Sequence, residues 1–110
     1  MFIKISGEVE GRVQQIMFRQ TFVRALIRRG LRGGATNLEV KNRVGFSIEG
    51  PENKIKEIIE TMPGLEKLNS WGAKVEKVYV SDIYIDYQKH EVTTDNVDGL
   101  NWSEGVEFYL

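Results

Sequence analysis

Two hydrophobic periods alternate along this chain, and their order is the tightest constraint on what it can fold into. Residues 2 to 9 set Ile3, Ile5 and Val9 on one parity against Lys4, Ser6 and Glu8, the pattern of a half-buried strand. From Phe18 the period becomes helical: Phe18, Phe22, Ala25 and Leu26 share a face widened by Val23 and Ile27, with Gln20, Thr21, Arg24 and Arg28 opposite. Gly30, Gly33 and Gly34 end that helix. Thr36, Leu38 and Val40 alternate as a second strand. Lys41-Asn42-Arg43 reads as a hairpin turn, with Asn42 suited to positive φ, and Val44, Phe46 and Ile48 form the return strand. Gly50-Pro51-Glu52 opens a second helix with proline at its first position. Ile55, Ile58, Ile59 and Met62 then keep the spacing of a helix packed on a sheet, up to Met62-Pro63-Gly64. Lys74 to Tyr87 reads as one long strand, bent at Ser81-Asp82 where the apolar parity changes. Residues 88 to 104 form a polar, acidic connection, and Val106, Phe108 and Leu110 have the parity of a last strand.

This order, β-α-β-β-α-β with an extra C-terminal strand, predicts a ferredoxin-like α+β sandwich: an antiparallel sheet covered on one face by two helices. At 110 residues the chain is expected to be a single domain, 1–110. The plan hosts enzymes, RNA binders and regulatory domains alike, so function must come from particular residues.

Composition removes several chemistries. There is no cysteine, hence no disulfide framework, thiol nucleophile or thiolate metal site, and the one histidine, His90, cannot make a histidine-rich zinc site. No metal and no cofactor are expected. There is no leader-like pattern, and no apolar run approaches the roughly 20 residues that span a bilayer. The expectation is a cytoplasmic, soluble protein with no membrane partner. The net charge of −1 gives no overall bias toward nucleic acid, and no aromatic-glycine RNA-binding stripe is present. The charge is nevertheless segregated. Between Gly11 and Leu38 lie Arg12, Arg19, Arg24, Arg28, Arg29 and Arg32 with no acid, whereas from Glu91 onward there are acids and no Lys or Arg. An anionic ligand belongs at the basic end, and the acidic tail is a candidate surface for a protein partner.

Arg19 is the residue that breaks pattern. At about 100° per residue it falls inside the apolar sector of the first helix, and in the first turn, where the helix dipole disfavours a cation. The pattern leaves two readings open: a bound anion, or a buried ion pair with a carboxylate from a neighbouring strand. Before it, a strand, a turn opening with Gly11 and a helix N-terminus make the local geometry of a phosphate cradle, in which free backbone N–H groups face the ligand. No Walker or dinucleotide motif is present.

Gly11-Arg12-Val13-Gln14-Gln15-Ile16-Met17-Phe18-Arg19 resembles the acylphosphatase signature Gly-x-Val-Gln-Gly-Val-x-Phe-Arg. Gly30-Leu31-Arg32-Gly33 resembles that family's Gly-Leu-x-Gly link, and Gly33-Gly34-Ala35-Thr36-Asn37, with the hairpin and Val44 after it, resembles its second signature. The resemblance covers residues 1 to about 87. It implies that Arg19 binds phosphoryl oxygens together with the backbone N–H groups of Gln14, Gln15, Ile16, Met17 and Phe18. It implies that Asn37 holds the attacking water through its side-chain amide. The reaction would be hydrolysis of a carboxyl–phosphate anhydride to carboxylate and inorganic phosphate, with an acyl phosphate or phosphate as the small-molecule ligand. Gln15 stands where the signature has a glycine, so strain is expected there. A second reading, favoured by Gln15 and the acidic tail, is a non-catalytic anion- or protein-binding module on the same fold. Trp71 and Trp102 are expected to be packing residues, with an exposed Trp102 as a possible partner anchor, and His90 a surface residue.

Overall fold

A computed structural model describes residues 1–100 and 105–110. Five strands, two α-helices and two short 3-10 turns follow in the order β1 (Phe2–Arg12), α1 (Phe18–Arg28), β2 (Arg32–Asn37), β3 (Arg43–Pro51), α2 (Glu52–Gly64), β4 (Lys74–Ser81), a turn at Tyr87–Lys89, β5 (Val92–Thr93) and a turn at Val97–Gly99. The sheet order is β4-β1-β3-β2-β5, and every pairing is antiparallel. This is the ferredoxin-like α+β sandwich that the alternating periods predict.

The pleat decides which side chains meet the helices. Val9, Val44, Phe46 and Ile48 share the helix-facing parity and are buried against Phe22 and Leu26 of α1 and Ile55, Ile58 and Met62 of α2. The rings of Phe22 and Phe46 lie 5.7 Å apart and tilted, and Phe18 stacks on Phe22 at 5.8 Å. Gly7, opposite Phe46, leaves room for that ring and for the neighbouring strand: a Cβ there would meet the ring at 3.0 Å and the Tyr79 carbonyl oxygen at 2.0 Å.

Several local expectations change, among them the second strand, which runs Arg32–Asn37 and leaves Leu38 and Val40 outside it. β4 ends at Ser81, so the parity change marks a strand end rather than a bend within one strand. Beyond it the Ser81 hydroxyl accepts the Ile83 N–H, and the chain turns back across the helix-free face, where Ser6 accepts the Ile85 N–H at 2.8 Å. Residues 106–110 add no strand to the sheet; Phe108 makes an isolated bridge to Asn69. The fifth strand comes instead from the acidic connection, as Val92–Thr93 pairs with Gly34 and Ala35 along the open edge of β2. An unpaired edge favours any nearby chain that can complete its hydrogen bonds. The hairpin closes through an Arg43 N–H to Val40 carbonyl bond of 3.0 Å, and Asn42 does not take positive φ. Pro51 caps α2 from just outside it, and the helix begins at Glu52.

His90 is not a surface residue. It is half-buried, with Nδ1 2.9 Å from the Thr36 hydroxyl and Nε2 2.8 Å from the Ser47 hydroxyl, and Ser47 in turn bonds Ser6 at 2.6 Å. Burial lowers its pKa, opposed in part by nearby Glu91. A histidine whose folded pKa lies below its unfolded value adds stability above the unfolded pKa, near 6.5, and that stability is lost as pH falls through the folded pKa. The thermal midpoint should therefore drop more between pH 7.5 and 5.5 in the wild type than in His90→Gln. Equal drops would place the acid sensitivity elsewhere.

Candidate active site

The segment between β1 and α1 is held by alternating anchors. Val13, Ile16 and Phe18 are buried, while Gln15 and Met17 between them take left-handed backbone at φ 61° and 62°. For a side-chain-bearing residue that geometry costs about 1–2 kcal/mol. Burying Ile16 and Phe18 is worth about 1.5–3 kcal/mol each, enough to hold the loop in this shape. The strain expected at Gln15 is therefore real, and Met17 shares it.

The loop's carbonyls are tied down. Asn69, fully buried, donates from Nδ2 to the Ile16 carbonyl and to Thr21 Oγ1, both at 2.9 Å, while its Oδ1 accepts the N–H groups of Trp71 and Ala73. Thr21 donates its hydroxyl to the Met17 carbonyl at 2.7 Å. Gln14 donates from Nε2 to the carbonyls of Leu38 and Arg43, both at 2.8 Å, and of Val40 at 3.2 Å, pinning the loop to the β2–β3 hairpin. The N–H groups of residues 14 to 17 make no hydrogen bond among the described residues. No side chain among the described residues caps α1, and its first turn carries no acid. Fixed carbonyls, free N–H groups and a bare helix N-terminus make a mouth complementary to an anion. A cavity of about 320 Å³ opens there, lined by Val13, Gln15, Met17, Phe18, Arg19 and Gln20, with Trp71 at its rim. Trp71 is 43% exposed, more than a packing residue would be.

Arg19 reaches out of the helix to an ion pair: its Nη1 lies 2.9 Å from Glu91 Oε1. The same oxygen accepts the backbone N–H of Asn37 at 2.9 Å. An ion pair is thus present, but it is partly exposed rather than buried, and the carboxylate comes from the acidic connection rather than from a neighbouring strand. Asp98 of that connection also approaches Arg24, at 3.5 Å. Two of the tail's acids, Glu91 and Asp98, thus fold back on the arginines of the chain's own α1. Asn37 faces the helix side, and its Oδ1 is buried with no hydrogen-bond partner among the described residues. A buried amide oxygen left unpaired is a strong acceptor for a small hydrogen-bonding ligand.

A larger hollow, about 360 Å³, lies on the helix-free face among Leu38, Tyr79, Ile83, Ile85 and His90, with Lys89 the cation in its lining. Its walls are mainly apolar and neither Arg19 nor Asn37 reaches it, so it does not suit a phosphate. No group of three or more His, Asp or Glu among the described residues could hold a metal ion. No described helix is long and apolar enough to cross a membrane.

The acylphosphatase family model matches residues 5–93, a span that contains the cradle, Arg19, Asn37 and Glu91. The chain belongs to the acylphosphatase family. It is 33% identical over 72 residues to an acylphosphatase of Pyrobaculum islandicum, covering 66% of this chain and 72% of that protein. Its fold is similar to the crystal structure of acylphosphatase from Bacillus subtilis, with a TM-score of 0.59 and 27% identity, covering 79% of this chain and 92% of that one. Asn69 lies outside the signature motifs, and Glu91 lies beyond the residues 1 to about 87 that the resemblance covers. Asn69 gives no signal beyond a lone asparagine between a helix and a strand, and Glu91 is simply the first acid of an acidic tail.

Gln15→Gly tests the strained position. Glycine relieves about 1–2 kcal/mol of left-handed strain and gives back about 0.5–1 kcal/mol of chain entropy. A small gain in urea midpoint with phosphate affinity kept or raised is expected. Loss of both would mean that the glutamine side chain shapes the cradle.

Proposed function

We propose that this protein hydrolyses acyl phosphates to a carboxylate and inorganic phosphate. The observation that carries the reading is a loop whose N–H groups at residues 14 to 17 are unpaired among the described residues, lying next to the uncapped α1 N-terminus and Arg19 at one cavity. The backbone N–H groups of residues 14 to 18 and the guanidinium of Arg19 hold the three equatorial phosphoryl oxygens. Phosphoryl transfer depends chiefly on such positioning and on neutralising charge, so a site this sparse suffices. Asn37 holds a water in line with the phosphorus–oxygen bond to the acyl group. Water attacks phosphorus, that bond breaks, and its electron pair leaves on the carboxylate. The water's proton passes to a phosphoryl oxygen. A carboxylate is a good leaving group, so no general acid is required.

Steady-state hydrolysis of benzoyl phosphate in the presence of a chelator tests this. The expected result is saturable turnover, inhibited competitively by inorganic phosphate. A wild type that binds phosphate without turnover would favour a non-catalytic anion-binding module. Left-handed Gln15 in place of glycine and the engagement of Arg19 by an internal carboxylate are the observations that favour that second reading.

A further inference from the structure

We infer that Glu91 is a positioning residue for Arg19 and Asn37, an inference that rests on the phosphate-binding role proposed for Arg19. Glu91 lies beyond β4, outside both sequence signatures, yet a single carboxylate oxygen joins the two. Oε1 accepts from Arg19 Nη1 at 2.9 Å and from the Asn37 N–H at 2.9 Å. The backbone that carries it is fixed on both sides. Its own N–H donates to Thr36 Oγ1 at 2.9 Å, its carbonyl accepts from Asn96 Nδ2 at 3.2 Å, and the following Val92 and Thr93 pair with β2. His90, just before it, is hydrogen-bonded at both ring nitrogens.

The geometry separates positioning from blockage. A guanidinium has five hydrogens in a planar fork, and Glu91 engages only Nη1, so Nε and Nη2 keep theirs for a second acceptor. Left alone, a long arginine at a helix N-terminus would sample many rotamers, and the dipole would push its charge outward. The carboxylate draws it instead toward the strand that carries Asn37. β5 and the acidic connection thereby acquire a function: they bring a fixed anion to the edge of β2 that orients the phosphate-binding cation beside the water-binding asparagine.

Glu91→Ala and Glu91→Gln, in the full chain, test this through kcat and KM for benzoyl phosphate, the inhibition constant or Kd for inorganic phosphate, and the thermal midpoint. Glu91→Ala should lower kcat/KM roughly tenfold and weaken phosphate binding in proportion. Glu91→Gln keeps an acceptor oxygen and should recover most of both, whatever happens to the midpoint. Phosphate affinity unchanged or tighter in Glu91→Ala would overturn the inference, because a bystander gives the first result and a competing anion the second. A loss that Glu91→Gln fails to recover would also overturn it. A wild type that binds no phosphate would remove the proposed site itself and the inference with it. Equal phosphate binding by the wild type and by Glu91→Ala removes the inference alone.

Discussion

Arg19→Ala should abolish measurable phosphate affinity and cost at least about a hundredfold in kcat/KM, the scale for deleting one donor to a developing oxyanion. The size follows from the site's economy. Besides backbone N–H groups, whose partial charges an alanine substitution leaves in place, Arg19 is the cation among the residues lining the cradle cavity. Its loss leaves a dianion facing dipoles alone, with Glu91 nearby and no longer neutralised. Stability should move little. The guanidinium is partly exposed and its one ion pair is with a half-exposed carboxylate, a kind of pair worth at most about 1 kcal/mol. Phosphate titration and a denaturation curve on the same preparation separate the roles. Lost stability with phosphate affinity intact would make Arg19 a structural residue.

Asn37→Ala should lower kcat by about ten- to a hundredfold, the cost of misplacing a reacting group, while phosphate affinity stays within a few-fold of wild type. Its side chain has a buried Oδ1 with no partner among the described residues and makes no contact that holds the cradle, whose carbonyls are fixed by Asn69 and Thr21 and which Gln14 pins to the β2–β3 hairpin. The bond that links Asn37 to Glu91 is made by its backbone N–H and survives the substitution. Removing a buried, unsatisfied amide should also leave stability unchanged or slightly higher. Equal losses in kcat and in phosphate affinity would contradict the water-holding role.

The fold was legible because its strands and helices bury alternating and 3.6-period faces, and those periods are local properties of the sequence. Val44, Phe46 and Ile48 announce a strand whatever their partners. The candidate cradle stood out in the sequence for a related reason: Gly11 through Arg19 is contiguous, and the helical wheel marks Arg19 as a misplaced charge. What escaped were features set by distant contacts. The end of β4 depends on Ser6 and Ser47 hydrogen-bonding a returning segment more than thirty residues away in sequence from either. The pairing of Val92–Thr93 depends on the vacant edge of β2, and the burial of His90 on Thr36 and Ser47. Glu91 and Asn69 escaped for the same reason, since a carboxylate or an amide shows in sequence only as polar. Trp102, expected as a packing residue or partner anchor, lies outside the described residues.

The most direct test of the central claim is hydrolysis of benzoyl phosphate by the wild type in ¹⁸O-labelled water, with both products analysed. Water held by Asn37 against a phosphorus gripped by the cradle and Arg19 predicts catalysed turnover with the label in inorganic phosphate and none in benzoate. Turnover no faster than the uncatalysed reaction, or label appearing in benzoate, would contradict it.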